Sequence, residues 1–262
     1  MTRMWVPGRA DAALTAIATT PRLVIALDFD GTVSPFVLDP MTARALPEVV
    51  REVDRLVALP DTTVAYVSGR SMHDLRVIAE HRDDSPVVLA GSHGAEYSYP
   101  GASAAAAADE TDERESLWAL VRPIIDRHEG VEFEPKAYGF GVHTRRAAPD
   151  VEEAVFAEVD ALMAAHGAGW RRRHGHRILE FSSRNEGKDA AMRVLRAHFD
   201  ATGILFAGDD VTDEDAMREL GAGDLGVRVG PGESAATLRV QSPQEIAALL
   251  RAVADERGAR RE

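Results

Sequence analysis

Cysteine is absent from the 262 residues, which excludes disulfides, thiol nucleophiles and thiolate metal sites and fits a reducing compartment. No apolar run approaches the roughly 18 residues of a membrane-spanning helix. The N-terminus also lacks a secretory apolar segment with a cleavage site. Positive charge is scarce: 30 Lys and Arg stand against 43 Asp and Glu, a formal net charge of −13. That balance favours solubility and argues against nucleic acid or an anionic membrane as partner. The expectation is a cytoplasmic monomer acting on a small molecule. Apolar residues, by contrast, are plentiful. At 45% they suffice for a sizeable core, in one large domain or two modest ones.

The stretch Leu23 to Pro35, LVIALDFDGTVSP, organises the rest. Five apolar residues in a row, bounded by Gly and Pro signals, predict a strand buried on both faces, as in a parallel sheet. Ligands of such sheets sit beyond the carboxyl ends of the strands, where Asp28 emerges. Asp28 and Asp30, two residues apart, are able to face one cavity. Their repulsion calls for a cation, and a hard metal such as Mg2+ suits carboxylates. Gly31 allows close approach of a ligand, and Thr32 adds a hydroxyl. The plainer alternative is a surface turn, since Asp and Gly dominate turns.

Residues 1 to about 20 read as a helix or loop leading in. Leu46 to Val57 has helical spacing, with Pro47 in its first turn. Thr63–Val67 predicts a strand, Met72–His81 a helix, and Pro86–Ala90 a third strand ending in Gly91–Gly94. Strands alternating with helices imply βαβ units and a parallel sheet. Residues 100–109 are small and of low complexity, a linker or mobile loop.

Beyond them, Glu115–His128 predicts a helix kinked at Pro123, and Val131–Thr144 a strand. Asp150–Ala165 predicts a helix opened by an Asp150/Glu153 capping box and closed by Gly167, and Gly169–Ser182 a further strand. The first pattern then resumes. Lys188–Phe199 is a helix, Ile204–Ala207 a strand ending at Gly208, Thr212–Leu220 a helix and Leu225–Val229 a strand. A last helix is opened by Ser242, Pro243 and Glu245 in a capping-box arrangement, before a solvated tail. The fold class is therefore α/β: a doubly wound, Rossmann-like parallel-sheet core (residues 1–109 and 185–262) with an inserted smaller α+β domain (110–184).

Four strand ends of the core carry polar groups: Asp28 and Asp30, Ser68, the Gly91–Gly94 turn, and Asp209 with Asp213. Thr212 and Asp213 alone read equally well as a helix cap. Taken with Asp28 and Asp30, however, so many carboxylates at one sheet edge need positive charge, which a metal and Lys188 would provide. Such an arrangement suits phosphoryl transfer, where catalysis is mostly positioning and charge neutralisation. One carboxylate is then the nucleophile, and a second moves protons.

DFDGTVSP (Asp28–Pro35), VSGR (Val67–Arg70), Lys188 and GDDVTDED (Gly208–Asp215) resemble the four motifs of the haloacid-dehalogenase-like (HAD) phosphohydrolases. The resemblance implies Asp28 as nucleophile and Asp30 as general acid/base. It places Thr32, Ser68, Gly69 and Lys188 on the phosphate. It implies Mg2+ held by Asp28, the Asp30 carbonyl and Asp209, with Asp213 in support, and makes the insert a cap.

A narrower likeness rests on AGSHGAE (Ala90–Glu96), EPK (Glu134–Lys136), HTR (His143–Arg145) and ILE (Ile178–Glu180), which resemble the trehalose-6-phosphate phosphatase family. It implies that Lys136, His143, Arg145 and Glu180 grip sugar hydroxyls, with Arg70 and His93 also facing the substrate, His93 by shaping a turn. Each cap residue has a plain reading too: a solvated lysine, a satisfied strand histidine, an exposed basic pair. Glu180 stands out because it interrupts an apolar strand. The run Arg171–His174 reads as a solvated strand edge. Asp189, Ser182, Ser183, His176 and Met217 depart from the family's usual residues. The rivals are a related phosphatase for another sugar phosphate, such as sucrose 6-phosphate or a glucosyl- or mannosylglycerate phosphate, and a silent sugar-phosphate-binding module.

Overall fold

The computed structural model describes residues 2–99, 109–136, 138–175, 177–184 and 187–259. The stretch 100–108, His176 and the last tail residues, all singled out above, lie outside them. In chain order the elements begin with β1 (Arg3–Met4), α1 (Ala12–Ala18), β2 (Leu23–Leu27), α2 (Pro47–Val57), β3 (Thr62–Val67), α3 (Met72–Ile78), β4 (Val88–Gly91) and β5 (Glu96–Tyr97). Next come α4 (Asp109–Ile125), β6 (Glu132–Lys136), β7 (Gly139–His143), α5 (Pro149–His166), β8 (Arg171–Gly175) and β9 (Ile178–Ser182). The chain finishes with α6 (Lys188–His198), β10 (Gly203–Gly208), α7 (Val211–Glu219), β11 (Leu225–Val229), β12 (Leu238–Val240) and α8 (Pro243–Gly258). Two compact units result: Met1–Ser103 with Glu186–Glu262, and Ala104–Asn185.

The first unit is an α/β sheet in the order β1-β12-β11-β10-β2-β3-β4-β5. Every pairing is parallel except β4 with β5. Strand β2 lies near the centre, and alternation sends its residues to both sides. Leu23, Ile25 and Leu27 join the core of α1, α2, α3 and α8, whereas Val24 and Ala26 join that of α6 and α7. A strand covered on both faces has no place for a polar residue, which is why the sequence runs apolar there. Each buried Leu or Ile contributes on the order of 2 kcal/mol. In the last turns of α8, the buried Arg257 donates to the carbonyls of Ala18, Thr20, Pro21 and Asp61. It thereby ties this helix to the segments entering β2 and β3.

The second unit is an antiparallel sheet in the order β6-β7-β9-β8. One face packs Phe140, Val142, Leu179 and Phe181 onto Leu117 and Val121 of α4 and Val155, Phe156 and Val159 of α5. Two stretches expected as single strands are each a hairpin: β6–β7, and β8–β9 about a turn where Arg177 has φ +59°. The short strands β1, β5 and β12 were not foreseen. With two or three residues each they are too brief to show periodicity.

Two expected capping boxes do not form. Helix α5 starts at Pro149 with Ala148 as an N-cap that makes no side-chain bond. The fixed φ of proline begins the helix and draws Asp150 into its first turn. Ser242 likewise makes no cap bond, and Glu245 instead accepts from the Gln241 N–H at 2.8 Å. Helix α4 contains Pro123 and ends soon after it, at Ile125.

Candidate active site

Strands β10, β2, β3 and β4 are consecutive neighbours running in one direction, so Asp209, Asp28, Ser68 and Gly91 gather at one sheet edge. Asp28 extends the ladder by donating its N–H to Ala207 at 2.9 Å, and Ser68 does the same to Ala90 at 2.9 Å. Both side chains are buried. Helix α6 opens with Lys188, only 2% exposed, whose Nζ donates to Asp28 Oδ1 at 2.5 Å and to Asp213 Oδ1 at 2.6 Å. Asp213 Oδ2 accepts the N–H groups of Asp209 (2.8 Å) and Asp210 (2.9 Å). With both oxygens so engaged, Asp213 fixes the loop between β10 and α7. The N-cap of α7 is Asp210, in a reciprocal capping box with Asp213. The plain capping reading of this segment therefore holds for Asp213, at N3 of the box, with Asp210 rather than Thr212 as the N-cap, and it coexists with the ion pair.

Two glycines make room for these carboxylates. A Cβ on Gly31, which has φ +86°, would lie 2.5 Å from Asp209 Cγ. A Cβ on Gly208 would overlap the Asp213 carboxylate. Gly31, expected to admit a ligand, thus admits the carboxylate of its neighbour across the sheet. Thr32 is fully buried, and its hydroxyl donates to Asp209 Oδ1 at 3.4 Å.

Asp28, Asp209 and Asp213 each bring an oxygen within 4.8 Å of the others. One lysine does not balance three such acids. Burial drives the Asp28 and Asp213 carboxyls well upward against the pull of Lys188. Burial and then the Asp213 and Asp210 charges push Asp209 up to about 7. For Lys188, burial works downward, but Asp213 and Asp28 prevail and keep it ammonium. A buried cluster of hard oxygen donors with surplus negative charge fits a divalent cation such as Mg2+.

The Asp30 side chain is 30% exposed and held by Arg70, Nε to Oδ2 at 2.6 Å and Nη2 to Oδ1 at 2.7 Å. The Asp30 carboxylate is therefore outside the acidic trio, and only its backbone carbonyl remains for the metal role inferred above. Arg70, expected on the substrate, is engaged by this carboxylate. A Cβ on Gly69 would lie 2.5 Å from the His93 ring, so the ring sits where that glycine has no side chain. His93 itself has φ +58° in the turn after β4.

In the second unit, pairing puts Glu134 and Lys136 of β6, His143 of β7 and Glu180 of β9 on one face, away from the helices. Lys136 Nζ donates to Glu180 and lies 3.5 Å from Glu134, and His143 Nε2 meets Glu134 at 2.7 Å. Burial would raise the Glu134 carboxyl, but Lys136 and His143 overcome it and hold it down at about 2. Lys136 is raised despite burial by Glu180 and Glu134. Gly139 and Gly141 on the middle strand keep this face low.

Glu134 was not among the candidates, although its place two residues before Lys136 in a strand was the available signal. Arg145 is exposed in the turn after β7, and no hydrogen bond or ion pair among those described joins it to the other four. The run Arg171–His174 is an edge strand dealt to two faces. Arg171 and Arg173 share the polar face, while Arg172 pairs with Asp160 and His174 packs on Phe156.

Three comparisons bear on this arrangement. A family model described as Trehalose-phosphatase matches residues 26–244. The chain is 30% identical to the trehalose 6-phosphate phosphatase of Zea mays, over 94% of its own length and 74% of that protein. It is also 30% identical to the trehalose-phosphate phosphatase of Mycobacterium marinum, over 87% of its own length but only 60% of the mycobacterial protein. In fold it resembles the C-terminal domain of the C. albicans trehalose-6-phosphate phosphatase. The TM-score is 0.82 at 20% identity, covering 97% of this chain and 98% of that one. Among the described residues no helix is long and apolar enough to cross a membrane.

Proposed function

The chain belongs to the trehalose-phosphatase family, a family of phosphoric monoester hydrolases, and from that premise we propose that it hydrolyses trehalose 6-phosphate to trehalose and phosphate with Mg2+ as cofactor. The observation that carries this reading is the buried Lys188 bridging Asp28 and Asp213 beside Asp209. In this reading a carboxylate of Asp28 attacks phosphorus, and the bond from phosphorus to the sugar oxygen breaks as Asp30 gives that oxygen a proton. An aspartyl phosphate is left on Asp28. Asp30 then takes a proton from water, which attacks the same phosphorus and returns Asp28 to a carboxylate. Ser68 and Lys188 hold the phosphate oxygens. When bound by Asp28, the Asp30 carbonyl and Asp209, the metal ion supplies positive charge against the acids and the phosphoryl group.

The sugar is bound, in the same reading, by Lys136, His143, Arg145 and Glu180 of the second unit. A disaccharide presents only hydroxyls, and matched donors and acceptors reject ligands without them. Phosphate release from a panel of sugar phosphates, with and without Mg2+, tests the reading. Trehalose 6-phosphate should give the highest kcat/KM, and only with the ion. Equal kcat/KM for glucose 6-phosphate would sink the substrate assignment, and release independent of a divalent ion would sink the cofactor.

A further inference from the structure

The fork that Arg70 makes on Asp30 has no part in the cycle above. Two parallel N–H···O bonds of 2.6 and 2.7 Å fix the plane of a carboxylate as well as its position, which a single contact cannot do. The fork is itself anchored. The Arg70 N–H donates to Ser68 Oγ at 3.2 Å, and its carbonyl accepts the Ser92 N–H at 2.6 Å. Ser92 and His93 both take positive φ, +49° and +58°, a conformation that side chains adopt only when the surroundings hold them there. Glu96 supplies that hold, accepting from Ser92 Oγ at 2.6 Å and from the Met72 N–H at 3.1 Å. A Cβ on Gly91 would crowd the Met72 N and the Arg70 carbonyl. The segments VSGR and AGSHGAE therefore converge on the backbone of Arg70.

We propose that Arg70 is a positioning residue for Asp30, and that the turn from Gly91 to Glu96 is its backbone clamp. Asp30 must reach two oxygens in succession, that of the departing sugar and that of the incoming water. A carboxylate free to rotate about its side-chain bonds serves neither well, and small displacements of a reacting group cost about 100-fold in rate. The inference rests on the hydrolase reading and assigns Arg70 to the acid/base group rather than to the sugar.

The test is a double-mutant cycle of Arg70→Lys and Asp30→Asn. Lysine keeps the charge and loses the fork. It is read with Mg2+ on trehalose 6-phosphate and on p-nitrophenyl phosphate, whose leaving group needs no proton. In the otherwise native chain Arg70→Lys should lower kcat for trehalose 6-phosphate about 100-fold and leave KM within about 3-fold. The first nitrophenol released from p-nitrophenyl phosphate should keep nearly its native rate. In the Asp30→Asn background the same substitution should change either rate less than about 3-fold, because residues acting as a unit are not additive. Full additivity overturns the proposal, and so does a raised KM with native kcat, the mark of a substrate contact. Thermal midpoints of all four chains separate these results from misfolding. A native chain that releases no phosphate from either compound refutes the hydrolase reading itself, whereas additive losses in an active enzyme refute only the role of Arg70.

Discussion

The two polar clusters are built on opposite charge balances. At the edge of the first sheet, Asp28, Asp209 and Asp213 share one lysine, and burial pushes all three acids upward. On the second sheet, Glu134 and Glu180 meet Lys136 and His143, and Glu134 is driven down to about 2. The first cluster is incomplete without a further positive charge. The second satisfies itself, so a sugar bound there as proposed would have to trade its own hydroxyls for contacts already made. Both lie at least partly out of solvent, which shows that burial alone does not set the direction of a shift. The ratio of acids to cations does.

The largest expected effect lies in the deficient cluster. Asp28→Asn should cut turnover at least about 10⁴-fold, since it removes the proposed nucleophile, while circular dichroism stays native. Native phosphate release from that variant would refute the assignment. Next is Gly31→Ala, where the added methyl meets the Asp209 carboxylate and the φ of +86° is strained. Activity should fall about 10- to 100-fold with a raised requirement for Mg2+, and an unchanged Mg2+ titration would show that Asp209 has not moved. Smaller again is Glu180→Gln, which unbalances the satisfied cluster. KM for trehalose 6-phosphate should rise about 10-fold with kcat nearly kept, and a kcat effect alone would remove Glu180 from sugar binding.

The subtlest effect is in pH dependence, where the clusters should differ in sign. Asp209 titrates near 7 in the fold but near 4 when unfolded, so between those values the native state holds the extra proton. Without a divalent ion, its contribution to stability falls as pH rises from about 4 to 7. Glu134, held at about 2, contributes stability above about pH 4 that is lost as pH falls toward 2. Thermal midpoints against pH for Asp209→Asn and Glu134→Gln should each flatten one limb, and Mg2+ should flatten the first alone. Identical slopes in both variants would erase the distinction.

The convergence of distant acids on one edge was legible because a continuous apolar strand announces burial, and parallel neighbours bring their ends together. Lys188 was legible from the charge it had to answer. The partner of Asp30 was not, because nothing in VSGR says whether its arginine faces outward to a ligand or sideways to a carboxylate. The polar face of the second unit was half legible. Period-two spacing puts Glu134 with Lys136, yet the hairpin turns that align them with His143 and Glu180 carry no strong turn signal. The failed caps at Ser242 and Asp150 show the same limit, since a motif names a possible bond and the entry angle of the chain decides whether it forms.

Gly31 and Gly208 hold their acids by having nothing where other residues have a first carbon. Alanine scanning, which ordinarily trims a residue back, would enlarge these two. A loss of activity there would report eviction of a neighbour, and the damaged group would lie just past the end of another strand or in the following helix, some 180 residues away in the case of Gly31.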